Sequence, residues 1–165
     1  MIAIAQAIWS NYFQVGEAAL LIGDSATAET MFREALTYVS TQAMEPVHEA
    51  DCALGLALSL LRQRAQRAEA QQLLRKAIRI YTTVNDLDCE VYVSCVTSLA
   101  DSYCCESFPE RALPLLKQAV KVVSIRAGLA APHLVPLFKR MALIYSEKNY
   151  RGKAEFCFLR AVQNS

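Results

Sequence analysis

Small apolar side chains recur along this sequence at a fixed interval of 42 residues. Two columns consist of alanine alone: Ala35, Ala77, Ala119 and Ala161, and Ala28, Ala70, Ala112 and Ala154. A third column at the same interval holds large apolar residues: Phe32, Leu74, Leu116 and Phe158. Because the three columns stay in register over four copies, the pattern predicts an array of four helical repeats.

Each copy contains two apolar stripes with helical spacing, which predict two antiparallel helices, A and B. In the third copy the stripe of helix A consists of Val96, Leu99, Ala100 and Tyr103. We expect Ser107 to cap helix B there, with Pro109 in the first turn and Glu110 completing a capping box. The corresponding turns of the first and fourth copies fall at Gly23-Asp24 and at Asn149. Each copy is therefore predicted to be a helical hairpin with a short turn.

The second copy departs from the strict interval in its helix A. Strict spacing places Leu58 where the other copies have glycine or alanine, whereas a shift of one residue places Ala57 there. One additional residue near 64–67 would produce this shift. One residue corresponds to a rotation of about 100° around the helix axis, so the two registers direct different faces of helix A toward the core.

The four copies span about 1–42, 46–84, 88–126 and 132–165, and together they predict a single repeat domain over 1–165. The net charge of +1 gives no general attraction to nucleic acid or to a membrane surface. No apolar run approaches the roughly 18 residues of a transmembrane helix. The apolar N-terminal segment has no lysine or arginine before it, so we expect no signal peptide and a cytoplasmic location.

The sequence contains none of the common catalytic or metal-binding patterns. It has no glycine-rich phosphate loop, no His-Glu-x-x-His and no nucleophile placed beside a base, so we expect no enzyme activity and no cofactor. The six cysteines match no zinc or disulfide spacing: Cys52, Cys89, Cys95, Cys104, Cys105 and Cys157. Burial in a reducing compartment is their favoured interpretation, and a metal or redox site at Cys95, Cys104 and Cys105 is the alternative. A run of arginines and lysines over 62–79 is more typical of a solvated helix face than of nucleic-acid binding, which we do not expect.

The columns resemble the tetratricopeptide repeat, whose usual length is about 34 residues. The longer period resembles the kinesin light chain group, as do two local segments, residues 112–116 and residues 131–145. The resemblance implies an all-α solenoid of four helix-turn-helix repeats in a right-handed superhelical array. The paired asparagines of the kinesin light chain groove are Thr97-Ser98 and Lys139-Arg140 here, so the cargo specificity of that group does not carry over.

The resemblance also implies a concave groove lined by the A helices, where a peptide or a helix of a protein partner would bind. Its expected partner-binding residues are Gln14, Glu17, Ser59, Arg62, Thr97, Ser98, Asp101, Lys139 and Arg140. The leading hypothesis is therefore a non-enzymatic scaffold or adaptor. A ligand-sensing regulatory repeat domain is the alternative, and a secretion-type chaperone fits less well because such arrays usually keep the shorter period.

Both ends of the array are apolar, although repeat arrays normally close with polar caps. The first end contains Ile2, Ile4, Ile8 and Trp9, and the last contains Phe156, Cys157, Phe158 and Leu159. These residues predict a surface for self-association, or an array that continues beyond this chain.

Overall fold

The computed structural model describes residues 2–64, 66–84 and 87–164, and that part of the chain contains eight helices and no strand. The helices are α1 (Ile2–Ile22), α2 (Ser25–Gln42), α3 (Pro46–Arg62), α4 (Arg67–Thr83), α5 (Cys89–Cys105), α6 (Pro109–Ala127), α7 (Leu134–Glu147) and α8 (Arg151–Gln163). The predicted all-α repeat fold is confirmed.

Successive helices pack in pairs, so that each predicted copy is one hairpin. The B helices begin at Ser25, Arg67, Pro109 and Arg151. These four starts are 42 residues apart, which reproduces the period of the alanine columns. The chain forms two compact units, residues 1–84 (unit 1, α1–α4) and residues 85–165 (unit 2, α5–α8). Within unit 1 the hairpins join where α2 packs on α3, and within unit 2 they join where α6 packs on α7.

The alanine columns lie in the cores of the two units. All eight alanines are buried, six of them with no exposed surface. In the third column Phe32, Leu74 and Leu116 are also fully buried, whereas 45% of Phe158 is exposed. Small side chains where helices approach and large ones in the gaps between them give the close packing that a helical core requires.

The A helices end in the same left-handed turn, and this finding corrects the predicted cap at Ser107. Ser107 has φ 64° and its N–H bonds to the carbonyl of Cys104, while the N–H of Phe108 bonds to the carbonyl of Tyr103 at 2.9 Å. This pair of bonds is the Schellman motif that closes α5. The residue that caps α6 is Phe108, without a side-chain bond, and Pro109 is the first helical residue as expected. Ser107 cannot cap α6 because it already serves as the turn residue of α5.

The predicted shift in the second copy is confirmed. Ala57 is fully buried and Leu58 is half-buried, so α3 uses the register displaced by one residue. The left-handed turn residue there is Arg64, with φ 55°, and a second left-handed residue, Gln66, precedes α4. The longer connection restores the interval, so α4 begins in register with the other B helices.

Candidate functional site

The predicted groove residues of unit 1 lie at the surface, with one exception. Gln14 and Glu17 are exposed on α1, and the Gln14 amide donates to the Ser10 hydroxyl at 3.1 Å. Arg62 is exposed at the end of α3, and its guanidinium donates to the carbonyl of Leu20. The same carbonyl also accepts from the N–H of Gly23 at 3.2 Å, so the bond from Arg62 ties the end of α3 to the last turn of α1.

Ser59 is the exception, and its assignment to the groove was wrong. Its side chain is fully buried, and its hydroxyl donates to the carbonyl of Gly55 at 2.8 Å. The physical reason is the one-residue shift of α3, which moves the inward position of the strict register into the core. Leu58, which is half-buried, takes the place predicted for Ser59.

In unit 2 the structure brings two of the predicted residues into direct contact. The guanidinium of Arg140, on α7, donates through Nη2 to Oδ2 of Asp101, on α5, at 2.7 Å, and Nε lies 2.5 Å from Oδ1. Both side chains are more than a third exposed. A pair of this exposure contributes at most about 1 kcal/mol to stability, so a ligand can replace either partner at small cost.

Thr97, one helical turn before Asp101, lines an open cavity of about 390 Å³ between α5 and the start of α7. The other lining residues are Glu90, Val93, Ser94, Pro132, His133 and Pro136. The Thr97 hydroxyl is engaged with the backbone, since it donates to the carbonyl of Val93 at 2.9 Å. Ser98 is half-buried on the same helix. The cavity is thus an apolar depression with a carboxylate and an imidazole at its wall.

Lys139 and Arg140 line a second cavity of unit 2, of about 420 Å³. Its other lining residues are Leu143, Phe158, Ala161 and Val162. Phe158 was predicted for the end of the array and Lys139 and Arg140 for the groove, so the structure joins two surfaces that the sequence treated separately. Glu90, Pro132 and His133 of the first cavity were not predicted as binding residues. They precede or begin A helices, outside the stripes from which the groove was inferred.

Unit 1 has a cavity of about 610 Å³ where the first turns of α1 and α3 meet the end of α2. Its lining residues are Ala5, Gln6, Gln42, Ala43, Met44, Glu45 and His48. The side chains of Gln6 and His48 lie in hydrogen-bond contact, with Nε2 to Nε2 at 3.1 Å. The polar side chains of this cavity are therefore two amides, of Gln6 and Gln42, the imidazole of His48 and the carboxylate of Glu45.

All six cysteines are free thiols, and three of them, Cys52, Cys95 and Cys157, are buried. Burial raises the pKa of the Cys52 thiol to about 11, although the indole Nε1 of Trp9 donates to its sulfur at 3.1 Å. Burial also raises the pKa of Cys104. A raised pKa disfavours the thiolate that redox and metal chemistry require. Among the described residues, no group of three or more metal-ligating side chains converges on one point.

Within the described residues, no helix combines the length and the apolar character that a bilayer crossing requires. The apolar ends are partly exposed: Ile4 and Ile8 on α1 and Phe156, Phe158 and Leu159 on α8 each leave more than a third of their surface open. Two residues predicted for these ends instead contribute to the core. Trp9 packs against it, and Cys157 is buried. The side chain of Ile2 lies outside the described part of the structure.

The structure is similar to several solved repeat proteins. BtubC (BKLC) from P. vanneervenii superimposes with a TM-score of 0.76 at 18% identity, over 99% of this chain and 71% of that one. The TPR-like repeats of a Podosopora anserina protein described as a kinesin light chain superimpose in two structures, with TM-scores of 0.75 and 0.73, both at 16% identity. In both cases the match covers 93% of this chain and 72% of the other. No protein-family model matches the sequence, and no curated protein matches it. The predicted resemblance to kinesin light chain repeats is confirmed as a similarity of fold.

Proposed function

We propose that this protein is a non-enzymatic interaction module that binds a peptide or a helix of a protein partner on the A helices of unit 2. The observation that carries the proposal is the open cavity lined by Thr97 beside the exposed Asp101–Arg140 pair. Helical repeat proteins of this fold generally act as scaffolds, which supports the same interpretation. The six free thiols suit a reducing compartment, in agreement with the expected cytoplasmic location.

The chemistry of the surface defines the ligand. Val93 and Pro136 give the cavity an apolar wall, Glu90 and Asp101 are acidic, and Arg140 is basic. An apolar side chain of the ligand would fill the cavity, and charges of both signs on either side of it would meet the acidic and basic groups. A ligand carboxylate can compete with Asp101 for the guanidinium of Arg140, because the exposed pair is weak.

A charge reversal at Asp101 tests this proposal. A pull-down with mass spectrometry identifies the partner, and isothermal titration with the bound segment measures its affinity. A ligand carboxylate that takes the guanidinium of Arg140 leaves the Asp101 carboxylate to bind a basic group of the ligand. We expect Asp101→Arg to repel that basic group and to weaken binding about tenfold, which corresponds to roughly 1.4 kcal/mol, with little change in the melting temperature.

The matched control is Glu110→Arg, which reverses an exposed acid of α6 that pairs with Lys148 at 3.6 Å. This variant is expected to bind as the wild type does. Equal affinities for the wild type and both variants would show that the partner does not use the α5–α7 surface.

The 610 Å³ cavity of unit 1 favours a second function, the sensing of a small molecule. Its volume lies in the range of roughly 300–1,000 Å³ that is usual for small-molecule sites. A metabolite that binds there would raise the melting temperature by mass action, and His48→Ala would abolish that rise. A thermal-shift screen of metabolites without any His48-dependent hit would exclude this function.

A further inference from the structure

The two histidines of the chain occupy the same position in the two units. His48 lies in the first turn of α3, and His133 directly precedes α7. Their separation is two repeat intervals once the one-residue shift of α3 is included. Each imidazole lines a cavity of its unit, of about 610 Å³ in unit 1 and about 390 Å³ in unit 2. The two cavities therefore lie at equivalent places, and they differ in the residues that surround the ring.

The first A helix of each unit places a long polar side chain in the same cavity as the histidine. These side chains are Gln6 of α1 and Glu90 of α5, which are two repeat intervals apart. In unit 1 the amide nitrogen Nε2 of Gln6 lies 3.1 Å from Nε2 of His48. Because an amide nitrogen can only donate, the imidazole accepts in this contact. In unit 2 a carboxylate, which has no N–H to donate, stands in place of that amide.

The residue three positions further along the first A helix also differs between the units. In unit 1 it is Trp9, whose indole meets the ring of His48 edge-on with the centroids 4.2 Å apart. In unit 2 it is Val93, which lines the cavity together with Pro136. Because valine is much smaller than tryptophan, this position contributes open, apolar space in unit 2 where unit 1 has an indole.

Glu90 carries the negative charge of the unit 2 cavity, and its carboxylate is not used to cap its helix. Asp88 caps α5, since its Oδ1 accepts from the N–H of Glu90 at 2.9 Å and from the N–H of Val91 at 3.2 Å. The Glu90 side chain is exposed, and the described residues that line this cavity include no lysine or arginine. The cavity thus combines an exposed carboxylate, an imidazole and an apolar wall, which suits a cationic group on an aliphatic stem.

We propose that the cavity of unit 2 binds an arginine side chain of the peptide ligand, with the guanidinium between Glu90 and His133. The guanidinium donates to the carboxylate of Glu90, and it gives His133 the N–H that Gln6 gives His48. A guanidinium can make both contacts at once because it holds five N–H donors in one plane. The aliphatic part of the arginine lies along Val93.

This inference rests on the proposed function, because it identifies a basic residue of the peptide that binds the α5–α7 surface. It goes further in assigning that residue to Glu90 and His133, which the sequence did not mark as binding residues. The assignment can be tested with a single amino-acid derivative, without knowledge of the partner.

The two imidazoles of the chain give separate nuclear magnetic resonance signals, and His133→Gln assigns them because it removes one. The probe is N-acetyl-arginine amide, and N-acetyl-citrulline amide is its uncharged counterpart of the same shape. We expect the arginine probe to shift the His133 signal in a saturable way, with an affinity about tenfold higher than that of the citrulline probe. The His48 signal is expected to stay in place, because that ring is already bonded to Gln6.

Glu90→Gln removes the charge and places in unit 2 the amide that unit 1 has. We expect this variant to bind the arginine and citrulline probes equally and to weaken binding of the partner segment about tenfold. The matched control is Glu155→Gln, the same change at an exposed acid of α8, which is expected to keep the wild-type preference for arginine. Both substitutions replace exposed side chains, so circular dichroism should show wild-type helical content for both.

Equal affinities of the wild type for the arginine and citrulline probes would overturn the inference. A Glu90→Gln variant that keeps the preference for arginine would also overturn it, as would equal shifts of the His48 and His133 signals. If Asp101→Arg still weakens binding of the partner in any of these cases, the proposed function stands and the arginine assignment alone fails. Partner binding that neither Asp101→Arg nor Glu90→Gln changes would count against the whole α5–α7 surface.

Discussion

The ring of Phe32 lies between glycines of two helices. Cβ atoms built on Gly16 of α1 and Gly55 of α3 would lie 2.9 Å and 2.4 Å from ring carbons of Phe32. Real Cβ atoms do not approach aromatic carbons so closely, and Phe32 is fully buried and has no free space to move into. The two glycines therefore allow helices on both sides to pack directly on one ring.

Substitution of Gly55 separates this packing effect from helix propensity. We expect Gly55→Ala to lower the free energy of unfolding by about 1–3 kcal/mol, because the added methyl group overpacks the core. Gly152→Ala, in α8, meets nothing within 4 Å and is expected to raise stability by about 0.5–1 kcal/mol through helix propensity. Urea unfolding followed by circular dichroism measures both.

The direction of the Gly55→Ala effect decides whether the contact with Phe32 is as tight as the structure shows. Phe32→Leu in the Gly55→Ala background makes room for the methyl group and should recover part of the loss. A Gly55→Ala variant more stable than the wild type would contradict the packing described for Phe32.

At the residue scale, the sequence predicts core positions better than surface positions. The alanine columns follow directly from the period, and all of them are buried. Ser59 was assigned to the groove by the strict interval, although the same sequence indicates a one-residue shift in that helix. Cavity residues such as Glu90 and His133 lie at or before the first turn of an A helix, outside the apolar stripes from which the groove was predicted.

At the scale of the helices, the turn that closes each A helix is repeated with different residues. The left-handed position is Gly23 in the first hairpin, Ser107 in the third and Asn149 in the fourth. In each, the following N–H reaches back to the A helix, as from Asp24 to Ala19 at 2.9 Å. The turn is thus a property of the hairpin, and glycine is one of several residues that can occupy it.

Gly23→Ala tests the cost of the left-handed backbone by itself. Gly23 has φ 87°, and a Cβ atom there would meet nothing within 4 Å. An alanine at this position is therefore destabilised by its left-handed backbone and not by a steric clash. We expect a loss of about 1–2 kcal/mol, which is the usual cost of left-handed backbone for a residue with a side chain. Thermal unfolding measures it, with Gly152→Ala as the control at an equally open helical position.

The reciprocal change, Ser107→Gly, is expected to stabilise the protein, since it relieves the same strain in the third hairpin. An unchanged melting temperature in both variants would show that the turns tolerate side chains without strain.

The turns show where sequence reasoning at this scale succeeds and fails. Gly23 and Asn149 are typical turn residues, and both were predicted correctly. Ser107 lies three residues before Glu110, so it matches a capping box, and the pattern favoured the start of α6 over the end of α5. Since only three residues separate α5 from α6, the same residue can satisfy either role, and the hydrogen bonds decide between them.

At the scale of the whole molecule, the period specifies four hairpins and the faces that meet where hairpins join within each unit. It does not specify the angles at which hairpins stack, because a straight array and a curved array can have the same residues at the same 42-residue interval. The single domain predicted for 1–165 remains a prediction, since the structure resolves into two compact units of two hairpins each. Whether the units unfold together is an energetic property, and a solution experiment can determine it.

The sequence contains one tryptophan, which makes that experiment straightforward. Trp9 lies in unit 1, where its ring stacks on Phe13 with centroids 5.3 Å apart and meets His48 edge-on at 4.2 Å. Its fluorescence therefore reports the unfolding of unit 1, whereas far-ultraviolet circular dichroism reports the helices of both units. If the chain is one domain, coupling between neighbouring repeats gives a single cooperative transition.

We expect the two signals to have the same urea midpoint, and Gly55→Ala to move both midpoints equally although the substitution lies in unit 1. This shared shift is the stronger test, because two independent units can have similar midpoints by coincidence but cannot respond together to a change in one of them. If Gly55→Ala lowers the fluorescence midpoint but the circular dichroism signal keeps a second step at the wild-type urea midpoint, the two units unfold separately. The chain would then consist of two domains of two hairpins each.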